Sequence, residues 1–123
     1  MISKLTEYRF KLGRFSFLKD KDYLSFMKKK YPNQDLHHIM ASSNVKYTDR
    51  LVVPVEHLFH LNSVHKNIPH YFDLFLPCAV GHYLNYLLEK KKIKEQVARY
   101  YRRHYTPEDL VNLFETLEME KPE

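Results

Sequence analysis

Glycine and cysteine are scarce in this chain, and each scarcity excludes a class of protein. Two glycines among 123 residues disfavour an all-β sandwich or barrel, because such folds need many tight turns. The single cysteine, Cys78, excludes an internal disulfide framework and a cysteine-rich zinc ribbon. It is typical of a reducing compartment, and we expect a cytoplasmic protein. Any metal ion must then be held by His, Asp, Glu or Asn.

Long hydrophobic runs are also missing. The most apolar stretch, residues 68–84, contains Asp73, two histidines and two prolines, so it does not resemble the roughly 18-residue apolar run of a membrane-spanning helix. The first 15 residues carry charges every few positions and lack the apolar region of a secretory signal. The sequence therefore predicts no membrane partner.

Positive charge is present in one concentrated stretch. Residues 88–103, LEKKKIKEQVARYYRR, contain seven basic and two acidic side chains, and the net charge of the whole chain is +5. Such a basic stripe is either the solvated face of a helix or a binding surface for a polyanion. We predict that it binds nucleic acid through Lys90, Lys91, Lys92, Lys94, Arg99, Arg102 and Arg103.

The chain length is typical of one domain, residues 1–123, with a modest core. Alternating apolar and charged side chains over residues 6–17 predict a strand. Asp20 or Asp22 is expected to cap a helix that runs to about Lys30 and ends before the following proline.

The middle of the chain predicts strand, loop, strand and helix. A short apolar run at residues 36–40 and a β-branched run at residues 50–55 are the two strands, and Glu56 opens a helix to about Lys66. Helices are expected over residues 78–120. The first is one long helix that begins after Pro77 and bends near Lys91, and the last opens at the Thr-Pro pair of residues 106 and 107. These elements predict a mainly helical α+β domain.

Histidine is concentrated in one quarter of the chain. Five of the eight histidines lie within residues 35–65, and neutral imidazole is the commonest metal ligand. Two ligands on a helix share a face when they lie three or four residues apart. His57 and His60 satisfy this spacing, whereas His60 and His65 would stand about 140° apart on a regular α-helix.

The segment DLHHIMASSNVKYTDRLVVPVEHLFHLNSVH, residues 35–65, resembles the HNH endonucleases of the ββα-metal superfamily. Its HH pair, its Lys-x-x-Asp step, its strand ending in Val-Pro and its histidine-bearing helix are most similar to the phage-type branch. The resemblance covers about 31 residues. Two departures are the loop ASSN in place of the usual glycine loop and a last histidine one position later than the family spacing.

The resemblance implies a central ββα-metal motif over residues 35–66 and metal-dependent hydrolysis of DNA. His38 would activate water, and Asp49 stands where many members have an Asn that positions this base. His37 is like the metal-coordinating or supporting member of the pair. His60 would be a metal ligand, with His65 or His57 as the second. The cofactor would be Mg²⁺, Mn²⁺ or Zn²⁺, and the residues expected to contact flanking phosphates are Lys46 and Arg50.

A second hypothesis is a protein without catalytic activity. The altered loop and the shifted last histidine are also compatible with a helix-rich nucleic-acid-binding or interaction protein, whose histidines form a structural metal site. A zincin-type protease is not supported, because EHLFH contains neither His-Glu-x-x-His nor its inverse.

Overall fold

The computed structural model of the protein describes residues 3–17, 20–40 and 48–119 and has the architecture of a helix-rich α+β domain. Helices surround one small two-stranded sheet, and a single hydrophobic core joins them. None of the helices in these ranges is long and apolar enough to span a bilayer. In chain order the elements are α1 (Lys4–Leu12), a 3₁₀ helix (Gly13–Phe17), α2 (Lys21–Lys30), β1 (Asp35–His38), β2 (Val52–Val55), α3 (His57–Phe59) with a π-helical turn (His60–Val64), α4 (Ile68–Glu89), α5 (Glu95–Arg103) and α6 (Pro107–Met119).

The strand predicted over residues 6–17 is wrong, because this segment is helical. Leu5, Tyr8 and Leu12 recur at helical spacing and are buried. The alternating pattern placed Phe10 on the same side as Tyr8, yet Phe10 is 86% exposed. The Ser3 side chain accepts a hydrogen bond from a backbone amide in the first turn and caps the helix.

Helix α2 confirms the predicted Asp20 cap. The Asp20 carboxylate accepts a hydrogen bond from the Tyr23 amide at 3.1 Å. Tyr23 is fully buried, with its ring centre 4.9 Å from that of Tyr83 and 5.0 Å from that of Tyr86. These contacts fix α2 against α4, so the C-terminal turn of α2 lies in a defined place beside the sheet.

Strands β1 and β2 pair in antiparallel register, with His37 opposite Val53 and His38 opposite Val52. Successive side chains of a strand point to opposite faces. His37 is accordingly 2% exposed, whereas His38 is only partly buried. The two adjacent histidines therefore have different surroundings.

Helix α4 begins at Ile68 and not at residue 78 as the sequence indicated. Pro77 lies inside it, although proline removes one helical hydrogen bond. Pro77 and Asp73, whose carbonyl loses its partner, are both exposed, so water can bind that carbonyl. The opposite side of the helix is buried at Phe72, Leu76 and Val80. Packing of these side chains in the core stabilises the helix before and after Pro77.

The turn after α4 contains a strained backbone position. Lys91 has φ 56°, which side chains with a Cβ rarely adopt. Its amide donates to Leu88 O and the Lys92 amide donates to Leu87 O, which is the Schellman pattern that ends helices. Glycine is the usual residue at this position, so the lysine costs stability. The turn separates α4 from α5, where the sequence predicted one long bent helix.

Lys91→Gly is expected to raise the free energy of unfolding by about 0.5–1 kcal/mol, because glycine adopts positive φ without a steric penalty. Urea unfolding of the variant beside the parent protein measures the change. Lys92→Gly is the matched control, since Lys92 does not have positive φ, and it should not stabilise. A Lys91→Gly protein that is less stable than the parent would contradict the positive φ assigned to Lys91.

Candidate metal centre

Three histidine rings converge where β1 meets the π-helical turn. His37 Nδ1 lies 3.1 Å from His60 Nε2, and His65 Nε2 lies 2.9 Å from the same atom. The three nitrogens all fall within 4.8 Å of one another. His37 is buried, His60 is partly buried and His65 is exposed. The group is therefore anchored in the core on one side and open to solvent on the other, and it could hold a metal ion.

The π-helical turn explains why residues five apart meet. The His65 amide donates to His60 O at 3.2 Å, which is an i→i+5 hydrogen bond. Such a bond widens the turn, so that position 65 lies above position 60 instead of about 140° away. π turns are rare and are frequently found at functional sites. The shifted last histidine thus reaches His60, which a regular α-helix would not allow.

His57, which the sequence offered as an alternative metal ligand, lies outside the three-histidine group and contacts Asp35. Its Nδ1 donates to Asp35 Oδ2 at 2.7 Å, and it is not one of the three grouped rings. His60 Nδ1 donates to the same carboxylate oxygen at 3.0 Å. These hydrogen bonds, from His60 first and then His57, lower the pKa of Asp35. Of the two alternatives for the second helical ligand, the structure brings His65 to His60.

Sequence reasoning missed Asp35. It lies two residues before His37, so both side chains leave the same face of β1. A carboxylate that accepts from one ring nitrogen of a histidine fixes its tautomer and directs the other nitrogen toward a metal. The Asp-x-His spacing was the available signal, but it becomes meaningful only once a helical histidine is known to face the strand.

The hydrogen-bonding capacity of His60 fits a shared cation. Because Nδ1 donates to Asp35, Nε2 carries one lone pair in the ring plane. Two other ring nitrogens lie within 3.1 Å of that single lone pair, and one lone pair cannot accept well from both. Ligand nitrogens about 2.0–2.1 Å from a tetrahedral metal stand about 3.3 Å apart, which is close to the two distances from His60 Nε2, 3.1 Å and 2.9 Å.

His37 is already in the protonation state that a metal ligand needs. Burial, with the nearby His60, His65 and His38, lowers its pKa from 6.5 to about 4. The ring is therefore neutral at pH 7, and its lone pair is available for coordination.

His38 and Asp49 form a second pair beside the cluster. His38 Nε2 lies 3.2 Å from Asp49 Oδ1, and the other Asp49 oxygen accepts from the Asp20 amide at 3.3 Å. Asp49 is 3% exposed, so its carboxylate is held in the core. His38 and His60 line the same open cleft of about 630 Å³. The structure thus pairs the predicted base with its predicted partner and places His38 on the same cleft as His60, one member of the three-histidine cluster.

Arg50 does not lie where a phosphate could reach it, and this prediction is wrong. It is 2% exposed, its guanidinium donates to Glu118 Oε1 at 3.3 Å, and its centre lies 5.4 Å above the Phe114 ring. The guanidinium joins the β2 side of the core to α6. Lys46, predicted with it, lies outside the described residues.

The predicted basic stripe lies on the surface but away from the cluster. Its lysines and arginines are exposed, and Arg102 donates to Asn85 Oδ1 at 2.8 Å. His37 contacts Phe75, ring centre to ring centre, at 6.2 Å. Asn85 follows Phe75 by ten helical residues, or about 15 Å along α4. The stripe can therefore bind a partner that also reaches the cluster only if that partner is extended.

Comparisons with known proteins do not identify a function, so the functional assignment rests on the geometry of the histidine cluster and its cleft. A scan of protein-family models, a search of curated proteins and a search of solved structures each found no match to this chain.

Proposed function

We propose that this chain is a metal-dependent endonuclease of the HNH type, which hydrolyses DNA phosphodiester bonds with a water that a histidine activates. One observation carries the proposal. Three imidazole nitrogens, from His37, His60 and His65, lie within 4.8 Å of one another, and His60 shares its cleft with His38. These histidines lie on β1 and on the helical segment that follows β2, and the chain order β1, β2, helix is that of the ββα-metal motif, which supports the proposal.

The donor set favours Zn²⁺ among the three expected cations. All three candidate ligands are imidazoles, which suit Zn²⁺, whereas Mg²⁺ and Mn²⁺ prefer oxygen ligands. Three protein ligands leave a fourth tetrahedral position for water or substrate, as in catalytic zinc sites. When bound, the ion would stabilise negative charge on a phosphate oxygen and on the leaving group.

His38 is proposed as the general base. It would accept a proton from water as the water oxygen attacks phosphorus, and the Asp49 carboxylate at 3.2 Å would stabilise the resulting imidazolium. Lys28, which lines the same cleft, would contact a phosphate oxygen of the substrate. Asp35 would hold His60 in the orientation that presents Nε2 to the cation.

Plasmid nicking in the presence of Zn²⁺, Mn²⁺ or Mg²⁺ tests the proposal. His38→Ala is expected to lower the nicking rate about 10²–10⁴-fold, which is the usual contribution of a general base. His104→Ala is the matched control, because His104 lies on the surface at the end of α5, bonded to Tyr100 O. Equal nicking by the parent and the His38→Ala protein, or nicking that a chelator does not suppress, would end the proposal.

A structural metal site without catalysis is the second candidate. The observation that favours it is that the cluster joins β1 to the π-helical turn, with His37 only 2% exposed. An ion there would stabilise the contact between strand and helix. This alternative predicts that metal stabilises the fold while no cation supports cleavage of any DNA substrate.

A further inference from the structure

Three surface depressions lie side by side around α2 and the turn after α4. The first is the cleft that contains Lys28, His38 and His60. The second, of about 410 Å³, is lined by Phe26, Lys29, Tyr86, Lys90 and Lys92, with Asp22 and Ser25. The third, of about 700 Å³, has an apolar floor and a rim formed by Lys91, Lys92 and Lys94. Because Lys92 lines both the second and the third depression, these two are adjacent.

Lys30 connects the first depression to the second. Its Nζ lies 5.7 Å from the centre of the Phe26 ring, in the second depression, and 5.8 Å from that of Tyr31, in the cleft. Lys90 Nζ also lies 5.7 Å from the centre of the Phe26 ring, and Lys90 lines the second depression. Ammonium groups thus follow one another beside aromatic rings from the cleft that His38 and His60 line to the turn after α4.

The lysines along this path form no close ion pairs among the described residues, although Asp22 lines the second depression and Asp35 lines the cleft. All are exposed, and no ion pair joins any of them to a carboxylate in residues 3–17, 20–40 and 48–119. Lys4 and Lys11, elsewhere on the surface, each lie within 4.0 Å of an acidic side chain. We name the path the lysine track, and its members are Lys28, Lys29, Lys30, Lys90, Lys91, Lys92 and Lys94.

We infer that the lysine track binds the backbone of a single-stranded nucleic acid and leads it into the cleft beside the three histidines. Lysines are sequence-independent phosphate contacts, and aromatic rings beside them offer stacking surfaces for bases. The track passes over the last turn of α2 and across the turn after α4. Binding of a single strand to the lysine track does not depend on the proposed function, whereas delivery of a phosphodiester to the three histidines rests on it.

A flexible strand fits this path better than a duplex does. A chain of 123 residues folds to a radius of gyration of about 14 Å, whereas the persistence length of double-stranded DNA is about 500 Å. A duplex therefore cannot follow depressions that turn over so small a surface, while a single strand bends freely into them. A single strand bound along the track would also be extended enough to reach both the cleft and the arginines of α5, which are Arg99, Arg102 and Arg103.

Fluorescence anisotropy with a labelled 12-nucleotide oligothymidylate, in EDTA so that no hydrolysis occurs, measures the binding. The double variant Lys28→Gln/Lys30→Gln is expected to bind about tenfold more weakly. It should also lower the slope of log K against log[salt] by about 1.4, since each phosphate contact on a single strand contributes about 0.7. The matched control, Lys4→Gln/Lys21→Gln, removes the same charge outside the track and should bind like the parent protein.

A second pair at the other end of the track, Lys90→Gln/Lys92→Gln, is expected to show the same loss. The inference is overturned if either track pair binds like the control, or if a 12-base-pair duplex binds as tightly as the single strand. The nicking assay tests the proposed endonuclease activity and not the lysine track. If both track variants bind the oligonucleotide more weakly and the parent protein nicks no DNA, the inference about the track holds and the endonuclease proposal is refuted. If the parent protein nicks DNA and the track variants bind as tightly as it does, only the inference about the track is refuted.

Discussion

Addition of Zn²⁺ to the metal-free protein is expected to raise its Tm by about 10 °C. A ligand at 100 times its Kd stabilises the folded state by about 2.7 kcal/mol, and 1 kcal/mol shifts the Tm of a domain of this size by about 4 °C. The physical reason is that His37, His60 and His65 come together only in the folded chain. Thermal melting followed by circular dichroism, with and without Zn²⁺, measures the shift.

His60→Ala should abolish nearly all of this rise, because His60 Nε2 is the nitrogen that both other rings approach. His104→Ala serves as the matched control and should keep the full rise, since it removes an imidazole outside the cluster. An equal response to Zn²⁺ in the parent and in His60→Ala would show that the ion binds elsewhere. No response in the parent protein would refute the metal centre.

Asp35→Ala is expected to weaken Zn²⁺ binding about 10–100-fold, which is the usual effect of losing a carboxylate that orients a metal-ligating histidine. Asp35 Oδ2 accepts from His60 Nδ1 at 3.0 Å and thereby directs Nε2 toward the other two rings. Competition against a chromogenic chelator measures the affinity directly. Asp73→Ala removes an exposed carboxylate that lies 4.0 Å from Lys4, and it should leave the affinity unchanged.

His57→Ala separates two explanations of the Asp35 effect. His57 also donates to Asp35, at 2.7 Å, but its ring is outside the three-histidine group. If Asp35 acts by orienting His60, loss of His57 changes the Zn²⁺ affinity less than threefold. A loss as large as that of Asp35→Ala would contradict this explanation, because the Asp35–His60 hydrogen bond alone would then not orient the ligand.

Sequence reasoning succeeded where the signal was local. Asp20 caps α2, and the acidic residues Glu108 and Asp109 occupy the first turn of α6 after Pro107. A cap or a proline acts on the backbone within a few residues, so its effect is the same wherever the helix packs. The two strands, observed at Asp35–His38 and Val52–Val55, were likewise predicted within one or two residues of their bounds.

Sequence reasoning failed where burial had to decide between two patterns. Residues 6–17 alternate in polarity, but Leu5, Tyr8 and Leu12 also recur at helical spacing, and packing of this segment against α4 and α6 selected the helix. The sequence predicts that Arg50 is exposed, but Arg50 is buried and pairs with Glu118, which is 68 residues away in the chain. Neither choice can be read from neighbouring residues.

The sequence by itself determined the chemical inventory: imidazoles concentrated within 31 residues, one cysteine and a lysine-rich stripe. It also determined the helix-rich composition, because capping and periodicity are local. Only the tertiary structure decided which imidazoles meet. The i→i+5 bond from His65 to His60 and the register that places His37 opposite Val53 bring the three rings together, and packing between elements distant in sequence supports both. For the same reason the lysines of α2 and those after α4 form one track only in the folded chain.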